Sequence, residues 1–175
     1  MPIKTIFLDR DGVINKEVSY LHKIDDFEFI DGIFKACLSF QNLGYKIIII
    51  TNQSGISRGY YGENEFQKLT KWMLDQFKKN NINILDIFHC PHVPESFCDC
   101  RKPMPGMFLS AKKKHNIDMK NSWMIGDKNA DIIAANKSDI YNTILVRSGH
   151  KIDESSSEAK FILNSIIECK EVIIS

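Results

Sequence analysis

Short apolar runs alternate with stretches of helical periodicity along the whole of this chain. Ile3 to Leu8, Tyr45 to Thr51, Ile84 to Cys90, Ser122 to Ile125 and Thr143 to Val146 are rich in β-branched and aromatic residues and predict strands. Asp31 to Leu43, Glu63 to Asn80, Pro105 to His115, Ala130 to Lys137 and Ala159 to Glu168 predict helices, with Gly44 as the C-cap of the first. Strands and helices alternating at this spacing imply βαβ units with right-handed crossovers. The expected fold is therefore α/β, a three-layer sandwich around a mainly parallel, Rossmann-like sheet. No internal repeat is present, and the serine-rich Asp153 to Glu158 reads as a mobile surface loop.

Composition narrows the function classes. The 175 residues suffice for one buried core and show no linker-like break, so one domain spanning 1–175 is expected. With 23 basic and 22 acidic residues the formal net charge is +1, which supplies no field for nucleic acid or an anionic membrane. No basic, aromatic-interleaved patch marks a nucleic-acid 3′-phosphatase. There is no signal-peptide pattern and no run of membrane-spanning length, so a cytoplasmic protein is expected. In a reducing compartment the five cysteines read as metal ligands or buried thiols. Cys37 and Cys169 fall in helical segments and are expected to be buried. A monomer is expected, since no exposed apolar stripe stands out.

The candidate chemistry lies at strand ends. Asp9-Arg10-Asp11-Gly12 closes the first strand, and i, i+2 alternation turns Asp9 and Asp11 toward one centre. The same alternation points Arg10 away from both, as a structural ion pair. Thr51-Asn52-Gln53-Ser54-Gly55 follows the second strand, Arg101-Lys102-Pro103 follows the third, and Gly126-Asp127-Lys128 with Asp131 follows the fourth. In order and spacing this set resembles the haloacid dehalogenase superfamily of phosphohydrolases. A noncatalytic phospho-ligand sensor would be expected to have lost the nucleophile.

The resemblance implies a role for each matching residue. Asp9 would be the nucleophile, forming an aspartyl-phosphate, and Asp11 the group that protonates the leaving oxygen and then activates water. Asp9, the Asp11 carbonyl and Asp127 would hold Mg²⁺. Thr51 and Lys102 would bind the phosphoryl oxygens, and Asp131 would orient Lys102 or the metal shell.

Cys90, His92, Cys98 and Cys100 place three thiols and an imidazole within eleven positions. This is a closed, structural Zn²⁺ set in a loop at 90–100; the other readings are a Cys98–Cys100 redox pair and unligated thiols. Cys100 directly precedes Arg101 and Lys102, so zinc would fix the backbone that delivers both cations.

Within the superfamily, Asp9 to Asn15, Thr51 to Gly59 and Cys98 to Met107 resemble the heptose-bisphosphate phosphatases more than their histidinol-phosphate sisters. That branch implies a small sugar bisphosphate as substrate, with Glu17, Val18, Ser19, Tyr20, Asn52, Gln53, Ser54, Arg101, Lys102 and Lys128 at the binding site. Arg58 is a further candidate cation. Between Gly12 and Ile50 there is no room for a large cap domain. Closure is left to Glu17–Tyr20 and the cysteine loop. His89 and His115 carry no assigned role.

Overall fold

The computed structural model describes residues 1–174. Six strands, β1 (Thr5–Leu8), β2 (Lys46–Asn52), β3 (Ile84–Cys90), β4 (Trp123–Gly126), β5 (Asn142–Val146) and β6 (Phe161–Leu163), form one sheet. Their order is β3-β2-β1-β4-β5-β6 and every pairing is parallel. The chain leaves β1 toward β2 and β3, then returns to add β4, β5 and β6 on the other side. The switch point at β1 opens a crevice at the carboxyl ends of the central strands. This is the expected three-layer α/β sandwich.

Alternate residues of each central strand enter opposite layers. Ile6, Leu8, Ile47, Ile49, Ile125 and Ile144 pack into one layer with α1 (Ile33–Asn42), α2 (Glu63–Lys79) and α5 (Ile166–Val172). Phe7, Ile48, Ile50 and Met124 pack into the other with α3 (Gly106–His115) and α4 (Asn129–Asn136). Helices on both faces explain why β2 can carry four consecutive isoleucines, all fully buried. In the first layer Phe77 of α2 meets Phe34 edge-on at 5.4 Å and Phe29 at 6.0 Å. Gly44, at φ +83°, ends α1 as expected by taking the left-handed conformation that glycine adopts without steric cost.

Two expectations are corrected. Ala159 to Glu168 is not one helix, because Phe161–Leu163 forms edge strand β6 and α5 begins at Ile166. The run is short and apolar enough to serve either state, and parallel pairing of Val146 with Leu163 decides for strand. Ile3 lies outside β1 and makes only an isolated bridge to Ile117. The other strand and helix bounds shift by one or two residues, as element ends do. Asp153 to Glu158 is at the surface as expected, with a 3-10 turn at Glu154–Ser156. An Arg147–Glu154 ion pair and a bond from Asn129 Nδ2 to the Asp153 carbonyl tie it down.

The two histidines left without a role have structural partners. His89 bonds Glu63 on α2 at 3.0 Å, and His115 meets Asp86 on β3 at 2.6 Å. No helix among the described residues is long and apolar enough to cross a membrane. Between β1 and α1 the chain forms isolated bridges at Asp11, Asn15 and Phe29 and one 3-10 turn at Ile24–Asp26, with no cap domain.

Phe77→Ala would open a cavity in the aromatic layer without touching the crevice. It should lower stability by about 3–5 kcal/mol, read by urea unfolding, and leave the substrate affinity of the folded fraction unchanged.

Candidate active site

The candidate residues converge on the carboxyl edge of the sheet. Asp9 follows β1, Asn52 ends β2 with Gln53 just after it, Lys102 comes from the loop after β3, and Asp127 follows β4. A cavity of about 270 Å³ opens there, lined by Asp9, Asp11, Glu17 to Leu21, Asn52 to Gly55, Arg58, Tyr61, Arg101, Lys102, Lys128 and His150. The lining includes ten of the eleven residues expected at the substrate, Glu17, Val18, Ser19, Tyr20, Asn52, Gln53, Ser54, Arg101, Lys102 and Lys128; the eleventh, Thr51, is not part of it. Thr51 and Asp127 lie just beneath it, 1% and 0% exposed.

The Lys102 ammonium is the centre of the arrangement. It lies 3.0 Å from Asp9 Oδ1 and 2.6 Å from Asp131 Oδ1, and donates to the Ile50 carbonyl at 2.8 Å. Burial alone would lower its pKa, but the Asp131 and Asp9 charges outweigh burial and raise it. Asn52 holds the Lys102 backbone from both sides, with Lys102 N donating to Oδ1 at 3.1 Å and Nδ2 donating to the Lys102 carbonyl at 3.2 Å. Asp131 Oδ2 accepts the Asp127 and Lys128 amides, each at 3.1 Å, at the start of α4. Asp131 is thus in direct contact with Lys102 and with the backbone at Asp127.

Asp9 is nearly buried. Burial, reinforced by the Asp127 and Asp11 charges and opposed by Lys102, pushes its carboxyl up to about 6. Oδ1 is held by Lys102 and by the Arg10 amide at 2.9 Å, which leaves Oδ2 without a donor among the described residues. Asp11 Oδ1 accepts Arg10 Nη2 and Asn15 Nδ2, both at 3.0 Å, and Oδ2 accepts Gln53 Nε2 at 3.2 Å. Gln53 is fixed in turn by Thr51 Oγ1 at 2.9 Å and by the Tyr61 hydroxyl, which donates to Oε1 at 2.5 Å.

Arg10 is corrected in direction. It is an ion-paired structural residue, as expected, but its partner is Asp11 itself. Strand β1 ends at Leu8, so alternation does not carry through the turn and the buried guanidinium curls back to Asp11 and the Leu21 carbonyl.

Asp127 tests the fit of a cation. Asp127 Oδ2 accepts the His150 amide at 2.9 Å and lies 2.6 Å from His150 Nδ1, whereas its Oδ1 is buried with no partner. A bare carboxylate oxygen in the interior is costly unless a cation meets it. Oxygens of Asp9, Asp127 and Asp131 lie within 4.8 Å of one another, three buried carboxylates against one buried ammonium. Hard oxygens and excess negative charge suit Mg²⁺. The approach is shaped by glycine: a Cβ at Gly12, whose φ is +88°, would stand 2.3 Å from Asp127 Oδ2, and one at Gly149 would stand 2.1 Å away.

Cys90, His92, Cys98 and Cys100 also come together, their ligand atoms all within 4.8 Å. His92 Nδ1 is 3.5 Å from Cys90 Sγ and 3.3 Å from Cys100 Sγ, and Cys98 Sγ is 3.6 Å from both other sulfurs. These separations are near the ~3.7 Å edge of a tetrahedron with Zn–S about 2.3 Å. The Cys90–Cys100 separation is shorter, 2.7 Å. Three thiols and an imidazole closing on one point fit Zn²⁺ in chemistry and number. Arg101 donates to the His92 carbonyl at 3.1 Å, joining this cluster to the cavity wall.

His150 and Tyr61 are site residues that sequence reasoning missed. Tyr61 stands just past the Thr51–Gly59 motif. His150 follows β5 by four positions in an unremarkable Ser148-Gly149-His150 turn, and no motif announces it.

Sheet order and site together define a hydrolase of the haloacid dehalogenase class, and residues 99–169 match the Hydrolase_like family model, HAD-hyrolase-like. The chain is 48% identical over 178 residues to a D-glycero-alpha-D-manno-heptose-1,7-bisphosphate 7-phosphatase of Photorhabdus laumondii, covering 98% of this chain and 97% of the relative. It is 45% identical to a D-glycero-beta-D-manno-heptose-1,7-bisphosphate 7-phosphatase of Haemophilus ducreyi, covering 94% and 95%. A crystal structure of D,D-heptose 1,7-bisphosphate phosphatase from B. bronchiseptica, complexed with magnesium and phosphate, matches with TM-score 0.84 at 26% identity over 97% of each chain. The chain belongs to the heptose-1,7-bisphosphate 7-phosphatase family.

Lys102→Met would leave the Asp9 and Asp131 carboxylates buried without their ammonium. Stability at pH 7 should fall by about 3–5 kcal/mol. Both acids have folded-state pKa values raised above their usual range, so the folded state takes up protons as pH falls and the penalty should shrink toward pH 4. Urea unfolding of the metal-free protein across pH 4–7 reads both effects.

Proposed function

We propose that this protein hydrolyses the 7-phosphate of D-glycero-D-manno-heptose 1,7-bisphosphate through an aspartyl-phosphate on Asp9, in nucleotide-activated heptose synthesis in the cytoplasm. The observation that carries the chemistry is the Asp9 carboxylate, with one oxygen fixed by Lys102 and the other undonated at the cavity. The observation that carries the substrate is relatedness, for curated relatives at 48% and 45% identity over nearly the full length bear that activity in their names.

Asp9 Oδ2 attacks phosphorus, and the sugar oxygen leaves with its electron pair. Asp11 Oδ2, on the cavity side beside Gln53, gives that oxygen a proton and then takes one from the water that opens the acyl phosphate. Lys102 neutralises charge on the transferring group, and the backbone amides after Thr51 supply fixed dipoles without reorganisation. Asp9, the Asp11 carbonyl and Asp127 would hold Mg²⁺, which when bound offsets the repulsion between carboxylates and phosphate.

The second phosphate of a bisphosphate has its own cations. Arg101, Lys128 and Arg58 line the cavity beyond Lys102, and Arg58 also lies over the Tyr20 ring at 5.9 Å. Glu17 and Tyr20 offer the sugar a carboxylate acceptor and an apolar wall. Zn²⁺ at Cys90, His92, Cys98 and Cys100 makes the 90–100 loop a rigid part of a single-domain, monomeric enzyme and holds Arg101 and Lys102 in place.

With Mg²⁺ present, phosphate release should show a higher kcat/KM for one or both anomers of the heptose bisphosphate than for histidinol phosphate. The reverse preference would overturn the substrate assignment. Asp9→Asn should lower kcat by a factor of about 10³ or more; comparable turnover in that variant would remove Asp9 as nucleophile. Purified protein should contain one zinc per chain by elemental analysis. Cys98→Ser should lose the metal, lower the melting temperature and raise KM through Arg101, and metal loss with unchanged turnover and KM would disconnect the loop from the reaction.

A further inference from the structure

His150 reaches from the turn after β5 into the cavity, and its two ring nitrogens face two different parts of the site. Nδ1 lies 2.6 Å from Asp127 Oδ2 and Nε2 lies 3.5 Å from Glu17 Oε1. Carboxylate oxygens only accept, so Nδ1 carries a proton toward Asp127, and Nε2 must carry one as well to attract Glu17. The His150 amide donates to the same Oδ2 at 2.9 Å, so main chain and side chain of one residue occupy one oxygen and leave Oδ1 buried and bare.

The turn that delivers this residue is built for close approach. Ser148 Oγ donates to the Gly12 carbonyl at 2.7 Å, and no side chain could stand at Gly149 against Asp127. The turn is therefore wedged between the loop after β1 and the one after β4. Glu17, at the other end of the imidazole, belongs to the segment that lines the substrate side, where Val18 and Tyr20 are 45% and 42% exposed.

We propose that His150 is a positioning residue that couples the two halves of the site, fixing the Asp127 carboxylate so that Oδ1 faces the cation and holding Glu17 against the sugar. Hydrogen-bonded partners of metal-binding carboxylates orient the ligand and typically contribute 10- to 100-fold in affinity. Here the same ring also reaches a substrate-facing residue, so cation and sugar sites share a support.

This rests on the reading of Asp127 as a cation ligand, and the experiment separates the two. Substrate-free protein is titrated with Mg²⁺ alone by calorimetry for wild type, Asp127→Asn, His150→Ala and His150→Asn, and KM for the heptose bisphosphate is then measured at saturating Mg²⁺. The His150 side chain is 34% exposed, so neither substitution opens a core cavity; melting temperatures check that each variant is folded. His150→Ala should weaken Mg²⁺ binding about 10- to 100-fold and raise KM. His150→Asn places an amide N–H near the position of Nδ1, so it should recover most of the Mg²⁺ affinity while keeping the raised KM. Loss in Asp127→Asn but in neither His150 variant, or equal loss in both His150 variants, overturns the proposal and leaves the cation reading standing. No loss even in Asp127→Asn overturns the cation reading itself, and an unchanged KM in both His150 variants overturns the coupling to Glu17.

Discussion

The structure of the site depends on one buried ammonium. Lys102 sits between Asp9 and Asp131 with the Ile50 carbonyl as its third partner, and all four groups are shielded from water. Burial raises the pKa of both carboxyls. The lysine charge opposes that rise, and it fixes which oxygen of Asp9 is free. Asp131 then uses its second oxygen to seat the start of α4, so the group that pairs with Lys102 beside Asp9 also sets the backbone at Asp127.

That ammonium comes from an irregular stretch of chain, which needs its own support. Lys102 lies between the end of β3 and the start of α3, in a segment whose regular structure is a single 3-10 turn at Pro94–Ser96. Two devices hold it. Asn52, at the end of β2, grips the Lys102 backbone through both the oxygen and the nitrogen of its side-chain amide, and the Cys/His cluster closes the loop immediately before it. Arg101 is tied to that cluster through the His92 carbonyl. The arrangement resembles a splice: the sheet on one side, a compact Cys/His cluster on the other, and the Lys102 ammonium between them.

Much of this was legible in the sequence because the signals are local. The strands read from apolar runs bounded by polar turns, and the acidic, Thr-Asn and Gly-Asp pairs each stand at a strand's carboxyl end, where the fold binds ligands. What failed did so for identifiable reasons. Phe161–Leu163 has no intrinsic feature that separates a three-residue strand from a helical turn, and its state is decided by β5 beside it. Arg10 was misdirected by extending strand alternation past Leu8 into a turn, where backbone direction is no longer periodic. His150 was invisible because its role arises from proximity to Asp127, 23 positions away, and a lone histidine after a Ser-Gly pair carries no spacing signal. Glu63 and Asp86, the partners of His89 and His115, are hidden in the same way.

The parallel sheet has a consequence for the order in which the molecule can come together. β1 pairs with β4 at Ile6 and Trp123, and the turn at Gly12 is latched to Ser148, so the innermost contacts join the two ends of the chain. Closing loops of that length costs more entropy than closing the shorter loops between neighbouring strands, and contacts so distant in sequence form slowly. The helices and the β2–β3 pair can therefore be in place while Asp9, Asp127 and His150 are still apart. A nascent chain can be compact well before it is competent, and the carboxylate cluster, with its unfavourable charge, is assembled only after enough of the core has formed to hold it.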